Sequence, residues 1–294
     1  MPQRPVGIFD SGIGGLSVLA HIRQQLPDEP ICYVADSAFA PYGCKPPATV
    51  QARCHAITGF LLKQQCKAIV IACNTATATV VHELRRQHTI PIVGLEPAIK
   101  PALTQSRSHC IGVLTTTATA QSEKFNRLLR HHAALGRVIV QPCPGLVEAI
   151  EVADQARIHT LLIQFLTPLL TQPIDALVLG CTHYPLIADT IAATITQLRG
   201  THIPLIDSGA AIARELTRQL QQHDLRHDPH RHVPNTPIQC WSSQPTIAPL
   251  MQRIWQTIAP QQHEQIEIHP LPIHHTPAPS QSHPDPRNAP QPLS

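Results

Sequence analysis

A chain of 294 residues, 43% hydrophobic but only 3% aromatic, has room for one large or two medium domains around an aliphatic core. Its formal net charge of +3 comes from scattered basic residues, which excludes the basic face or stripe of a nucleic-acid binder. No apolar run reaches the roughly 18–20 residues of a membrane span, and the nine cysteines, odd in number and without a C-x-x-C pair, argue against a disulfide framework or a zinc site.

Val6–Asp10 reads as a strand that ends in Asp10-Ser11-Gly12 and passes through Gly12, Gly14 and Gly15 into a helix, Leu16–Gln25. Ile31–Ala35 is a second strand ending at Asp36. Residues 37–47 form a loop containing Pro41-Tyr42-Gly43, and 48–65 are helical. Residues 68–72 are a third strand ending at Cys73, and Ile92–Gly94 is a fourth. The pattern then restarts: strand 110–114, a Thr-rich turn at 115–119, helix 121–132, strand 138–141, helices 146–153 and 158–170, strand 176–179 ending at Gly180-Cys181, a further helix, and strand 204–206 ending at Asp207-Ser208-Gly209. Strands alternating with helices at this spacing predict parallel α/β units, and two such sets predict two pseudo-symmetric α/β domains with mostly parallel sheets.

The first domain is placed at 1–97 plus 207–271 and the second at 98–206. Residues 223–237 are rich in His, Pro and Asp and read as a loop; 238–258 recover some order. The Pro/His-rich tail, 272–294, lacks the apolar content to fold and is expected to be disordered. Two echoes suggest an internal duplication. One is IVIACNTATA at 69–78 against LVLGCTHYPLI at 177–187; the other is Phe9-Asp10-Ser11-Gly12 against Ile206-Asp207-Ser208-Gly209. With no apolar signal-peptide core at the start, a cytoplasmic protein is expected.

The polar motifs all stand at the C-terminal ends of predicted parallel strands, the edge where open α/β sheets bind ligands. They are Asp10-Ser11, Tyr42-Gly43, Cys73-Asn74-Thr75, Thr116 to Thr119, Cys181-Thr182-His183 and Asp207-Ser208. Hydroxyls, amides and backbone N–H groups suit a carboxylate. No Arg or Lys stands there, which disfavours a phosphorylated ligand. The competing reading of each Ser, Thr or Asn is helix N-capping, and that of any one Cys is buried packing.

The matched settings of Cys73 and Cys181 argue for more than packing. Two thiols on opposite sides of a substrate suit a reaction that removes a proton from one face of a carbon and returns it to the other. A helix start is expected to lower a thiol pKa and raise its thiolate fraction. His183 and Asp10 are placed to orient or deprotonate a thiol. Glu148 and Glu151 share one helix face, where carboxylates are ordinarily solvated.

Other motifs fail. Gly12-Ile13-Gly14-Gly15-Leu16-Ser17 has Ser17 where a dinucleotide turn needs its third glycine, and no phosphate-binding loop follows any strand. His227, His230 and His232 lie in a polar loop, so no catalytic metal is expected, and no lysine marks a pyridoxal-phosphate site.

The segments GIFDSGIGGLSVL, YVADSAFAPYG, IACNTATA and GCTHYPL, in this order and spacing, resemble bacterial glutamate racemases, members of the cofactor-independent aspartate/glutamate racemase family. The likeness covers about residues 5–260. It implies two α/β domains with the active site in the cleft between them, no cofactor, and interconversion of L- and D-glutamate by a two-base route. One thiolate removes the α-proton and the opposite thiol protonates the other face. The motif match assigns these to Cys73 and Cys181, with Asp10 assisting the first and His183 the second. It implies substrate contacts at Asp10, Ser11, Tyr42, Gly43, Asn74, Thr75, Thr182 and His183, with Thr119 added. CPGLVEAIE resembles the family's C-P-x-x-V-P-x-x-E, which aligns Glu151 with an acidic residue implicated in catalysis and puts Glu148 where the family has Pro.

The resemblance also implies D-glutamate supply for peptidoglycan. Some members carry an N-terminal extension linked to activation by a cell-wall precursor. Here the first strand starts at Val6, so that regulation is not expected. A racemase for aspartate or another acidic amino acid fits the thiol pair equally well, and a non-catalytic small-carboxylate binding protein fits the hydroxyls alone. A glutamate-sized substrate, no nucleic acid, no membrane and a homodimer are the partner states carried forward.

Overall fold

The computed structural model describes residues 3–227, 238–261 and 266–273. The order of elements is β1 (Val6–Asp10), α1 (Leu16–Gln25), β2 (Ile31–Ala35), α2 (Pro47–Lys63), β3 (Ala68–Ile71), α3 (Asn74–Gln87) and β4 (Ile92–Gly94). It continues with α4 (Ile99–Gln105), β5 (Cys110–Thr115), α5 (Thr117–Gln121), α6 (Glu123–His132), β6 (Arg137–Pro142), α7 (Leu146–Glu151), α8 (Gln155–Leu170), β7 (Leu177–Leu179) and α9 (Ala188–Arg199). The rest is β8 (Leu205–Ile206), α10 (Gly209–Gln222), β9 (Ile238–Ser242), α11 (Ala248–Ile258) and β10 (Ile266–Pro270).

Every strand pairing is parallel. One sheet runs β10-β9-β2-β1-β3-β4 and the other β6-β5-β7-β8. The strands β1, β2 and β3 are buried along their whole length, as expected of parallel strands covered by helices on both faces. That is why they read as unbroken apolar runs. The α/β class and the two parallel sheets are those the alternation of elements predicts.

The sheets repeat one another. The order 2-1-3-4 in the first recurs as 6-5-7-8 in the second. The equivalent strands are therefore β1 with β5, β2 with β6, β3 with β7 and β4 with β8. Cys73 lies two residues beyond the end of β3, and Cys181 lies two beyond the end of β7. The register agrees: Ile71 pairs with Phe9 on the central strand, and Leu179 with Leu114. The cysteine echo thus falls on equivalent positions. The Asp-Ser-Gly echo does not, because β1 corresponds to β5 whereas Asp207-Ser208 follows β8.

The C-terminal part returns to the first sheet. There β9 pairs with β2 and β10 forms the edge. The edge strand alternates, with Glu267 and His269 exposed, which blunts it against further pairing. A contiguous buried cluster joins the two halves. It runs from Ile8, Leu16 and Leu19 to Leu146, Leu162 and Leu166.

Eight of the nine cysteines are buried and Cys44 is exposed. Residues 228–237 of the expected loop, with His230 and His232, and 274–294 of the expected tail lie outside the described residues. Among the described residues no helix is long and apolar enough to cross a membrane.

Candidate active site

Cys73 has extended backbone (φ −145°, ψ 122°) and is the N-cap of α3, with its Sγ accepting the Ala76 N–H at 3.5 Å. Its S–H points to Ser11 Oγ at 3.8 Å. Capping and a chemical role therefore share one position. The helix start does not make a thiolate here. Burial, and then the Asp10 carboxylate, push the Cys73 thiol well above its ordinary value; the Ala76 N–H pulls the other way with less effect, and Cys181 adds a further upward push. The local signal at a helix N-terminus is outweighed by desolvation, which the sequence does not display.

Asp10 closes β1 and is wholly buried. Its carboxylate accepts the Ser11 N–H at 2.7 Å, the Gly15 N–H at 2.6 Å and the Thr182 hydroxyl at 3.2 Å. Burial raises its pKa, against the pull of His183, the Ser11 N–H and the Cys73 thiol. A buried carboxyl tuned upward beside a thiol is suited to accept and return a proton.

Cys181 differs from Cys73 in its downstream neighbours. A 3-10 turn, Tyr184–Ile187, comes before α9, so Cys181 caps no helix. Its Sγ lies 3.8 Å from His183 Nδ1, and His183 Nε2 lies 2.6 Å from Glu151 Oε1 at the end of α7. Burial alone would lower the His183 pKa. The Cys181 sulfur and the Glu151 carboxylate more than offset it and hold the imidazole well above its usual range. His183 is thus an imidazolium set between a sulfur and a carboxylate. Glu151 is only slightly exposed and takes a second bond, from the Ile13 N–H at 2.9 Å. It is not the solvated helix carboxylate that its spacing suggests.

The glycine-rich turn is explained by this packing. A Cβ built on Gly12 would stand 1.8 Å from Glu151 Oε1, and one on Gly14 would stand 2.3 Å from His183 Nδ1. These glycines let the backbone after β1 lie directly against the second half's acid–base pair. Ser17, where a dinucleotide turn would have glycine, shares its one hydroxyl proton between the carbonyls of Gly14 at 2.8 Å and Thr182 at 3.0 Å.

The remaining predicted positions converge from both halves. Thr75 Oγ1 lies 3.2 Å from Thr116 Oγ1 and 3.3 Å from Thr119 Oγ1. Thr116 also caps α5. Gly43 packs against Thr116, closely enough that a Cβ would come within 3.0 Å of it. Asn74 is buried, and its Nδ2 has no hydrogen-bond partner among the described residues, so it is a donor available to a ligand. Tyr42 directs its hydroxyl away, to Asp36 Oδ2 at 2.7 Å, which leaves the backbone of Tyr42-Gly43 as the part that can face a carboxylate.

Asp207 and Ser208 line a small pocket with Asn74, Cys181 and Thr182. Asp207 accepts the Gly209 N–H at 2.7 Å, and Ser208 donates to the Glu96 carbonyl at 2.6 Å. His227 is buried, and its N–H donates to Glu29. Among the described residues no group of three or more His, Cys, Asp or Glu side chains could hold a metal ion. Ser17, Asp36 and Arg53 are residues of the site and its walls that the sequence reading missed. Only Asp36 carried a signal, since it follows β2 as Asp10 closes β1.

The arrangement offers two buried thiols, each with its own acid–base partner, and a set of uncharged polar groups nearby. Residues 11–216 match the profile of the Asp/Glu/Hydantoin racemase family. The chain is 52% identical over 226 residues to a glutamate racemase of Ectopseudomonas mendocina, covering 76% of this chain and 84% of that one. It is 50% identical over 226 residues to a glutamate racemase of Ralstonia nicotianae, covering 76% and 80%. Among solved structures it is similar to a glutamate racemase isoform of Bacillus anthracis (TM-score 0.76, 30% identity, 92% and 98% of the chains). It is also similar to the Escherichia coli glutamate racemase in complex with L-glutamate and the activator UDP-MurNAc-Ala (TM-score 0.75, 29% identity, 91% and 98%).

Proposed function

The chain belongs to the Asp/Glu/Hydantoin racemase family, and from that premise we propose that it interconverts L- and D-glutamate without a cofactor, using Cys73 and Cys181 as the two bases. The observation that carries this reading is the repeated strand order. The two thiols stand at equivalent strand ends of two different sheets, which supports a site served from opposite halves. Its substrate is that of the named relatives; the Francisella tularensis member was solved in complex with D-glutamate.

Glutamate lies with Cα between the sulfurs. One sulfur, as thiolate, takes the α-proton, and the other, as thiol, delivers its proton to the opposite face. Each turnover exchanges the two protonation states, so each sulfur needs a partner that tolerates both. Asp10 serves Cys73, where burial keeps the proton on sulfur until the carboxylate beside it accepts one. His183, held as imidazolium by Glu151, sits against the Cys181 sulfur, and a cation there favours the charge a base carries. The carbanion is stabilised by donors fixed in advance, Ser11, Asn74, Thr75 and Thr119, while the Tyr42-Gly43 backbone holds the carboxylate equally in ground state and transition state and Thr182 steadies Asp10. Their burial excludes water and strengthens each of them.

In this reading the units 1–97 with 207–271 and 98–206 flank the site, and the product D-glutamate goes to peptidoglycan. Racemisation in heavy water tests it. Deuterium should appear at Cα of the product enantiomer with no cofactor added, and Cys73→Ala and Cys181→Ala should each abolish it. Racemisation surviving in either variant sinks the two-thiol assignment. Faster turnover of aspartate than of glutamate transfers the reading to the shorter acid.

A further inference from the structure

We infer that Arg53, acting through Asp36 and Tyr42, positions the loop that presents its backbone to the substrate carboxylate; the inference rests on the racemase reading. Arg53 lies in the middle of α2 and is 6% exposed. Its guanidinium grips Asp36 at two points, Nε to Oδ2 at 2.9 Å and a terminal nitrogen to Oδ1 at 2.7 Å. Asp36 is wholly buried. Its Oδ2 also accepts the Tyr42 hydroxyl at 2.7 Å, and the guanidinium lies 4.0 Å from the centre of the Phe39 ring. Three residues of the 36–42 stretch are thus tied to one side chain of the helix that comes after it.

The tied segment is a wall of the site. Gly43 packs on Thr116, which is bonded to Thr75. Most of the loop is not regular structure, and two short 3-10 turns around Pro41 are its only helical content. Beyond its own turns its backbone is anchored by the Asp36 N–H to the Asp10 carbonyl at 3.0 Å and by the Ala38 N–H to Ser243 Oγ at 3.0 Å, and the side chains of Asp36, Phe39 and Tyr42 add a third anchor that converges on Arg53.

Charge gives Arg53 a second effect. Asp36 is a buried acid next to a loop that meets an anionic substrate. Paired, its charge is cancelled locally; without Arg53 it would repel the incoming carboxylate and would itself be left uncompensated. Both effects act on bound substrate and transition state alike, so they appear in KM rather than kcat.

The test is steady-state racemisation of both enantiomers by the full chain, with thermal stability measured in parallel. Arg53→Met should raise KM roughly 10-fold or more with kcat within about 3-fold of the parent. Arg53→Lys keeps the charge but loses the planar fork, so it should raise KM by a smaller factor; it also carries the test if Arg53→Met does not fold. Asp36→Asn/Arg53→Met removes both charges and should recover part of the KM lost in Arg53→Met. An unchanged KM, a kcat that falls in step with the folded fraction, or a double variant no better than Arg53→Met overturns the inference. A parent protein that racemises no glutamate overturns the functional reading instead.

Discussion

Thr182 donates its hydroxyl to Asp10 Oδ2 across 3.2 Å, so the residue beside one thiol is bonded to the carboxylate beside the other. The two acid–base stations are therefore coupled. Thr182→Val removes a donor that favours the ionised carboxyl, and the Asp10 pKa, already raised by burial, should rise further. The acid limb of kcat/KM against pH should move to higher pH, and the rate near neutrality should fall about 10-fold, the cost of one hydrogen bond to a charged group. An unmoved acid limb would show that Asp10 does not set it.

Glu151→Gln keeps an acceptor for the Ile13 N–H but removes the negative charge 2.6 Å from His183 Nε2. The imidazolium then loses its counter-charge, and the His183 pKa should drop from its raised position. The alkaline limb of the rate profile should move to lower pH, with a rate loss on the order of 100-fold, typical for a displaced acid–base group. Stability has the same sign. A His whose folded pKa lies above its ordinary 6.5 contributes fully below 6.5, and the contribution is lost as pH rises through the folded value. The stability gap between parent and Glu151→Gln should accordingly narrow toward alkaline pH in urea titrations. A gap that widens there would contradict the imidazolium assignment.

The strands that carry the thiols were legible because they are buried on both faces and read as apolar runs ending in small residues before Cys73 and Cys181. Strand β9 and the edge strand β10 were not. Gln239, Glu267 and His269 interrupt them with exposed polar positions, and the strand that β9 pairs with, β2, lies far back in the chain at Ile31–Ala35. Glu151 was placed by motif alignment, but its bond to His183 depends on tertiary packing that no local spacing reports. Arg53 gave no signal because a mid-helix arginine ordinarily points to solvent. The expectation of a lowered thiol pKa at Cys73 failed for a related reason: a helix start is visible in sequence, and burial is not.

Gly14→Ala tests why the turn is glycine-rich. Its Cβ would come within 2.3 Å of His183 Nδ1 and 2.7 Å of Thr182 Oγ1, so either the loop or the imidazole must move. A shift of about 1 Å in catalytic geometry costs on the order of 100-fold in rate, and activity should fall by at least that factor. The midpoint of thermal unfolding should fall much less, as overpacking costs about 1–3 kcal/mol. Near-parental kcat in a folded Gly14→Ala would show that His183 is not held against this turn.

Gly59 makes the opposite case within the same chain. It lies inside α2, and a Cβ there would meet nothing within 4 Å. Its backbone is helical, so alanine introduces no strain and removes unfolded-state freedom. Gly59→Ala should stabilise the protein by about 0.5–1 kcal/mol in urea titrations, with KM and kcat unchanged because no group of the site touches it. Destabilisation would mean that α2, the helix carrying Arg53, has a close neighbour at this position.

Asp175 supplies a stability effect remote from the chemistry. Its carboxylate closes the turn before β5, accepting the Ser106 hydroxyl at 2.5 Å and the N–H groups of Arg107 at 2.7 Å and Ser108 at 2.9 Å. Partial burial pushes its pKa up, but these donors prevail and pull it down to about 2 from 3.8. A carboxyl with a depressed folded pKa contributes stability above its unfolded value and loses it as pH falls through the folded one. Asp175→Asn should therefore cost about 1–2 kcal/mol at neutral pH, discounted for the partly exposed turn. The cost should shrink below pH 3.8, as the parent carboxyl itself becomes protonated. Racemisation at neutral pH should be unaffected, since the turn lies before β5 and the site lies beyond its far end. A loss of activity without a loss of stability would show that the 106–108 turn is coupled to the thiols through β5.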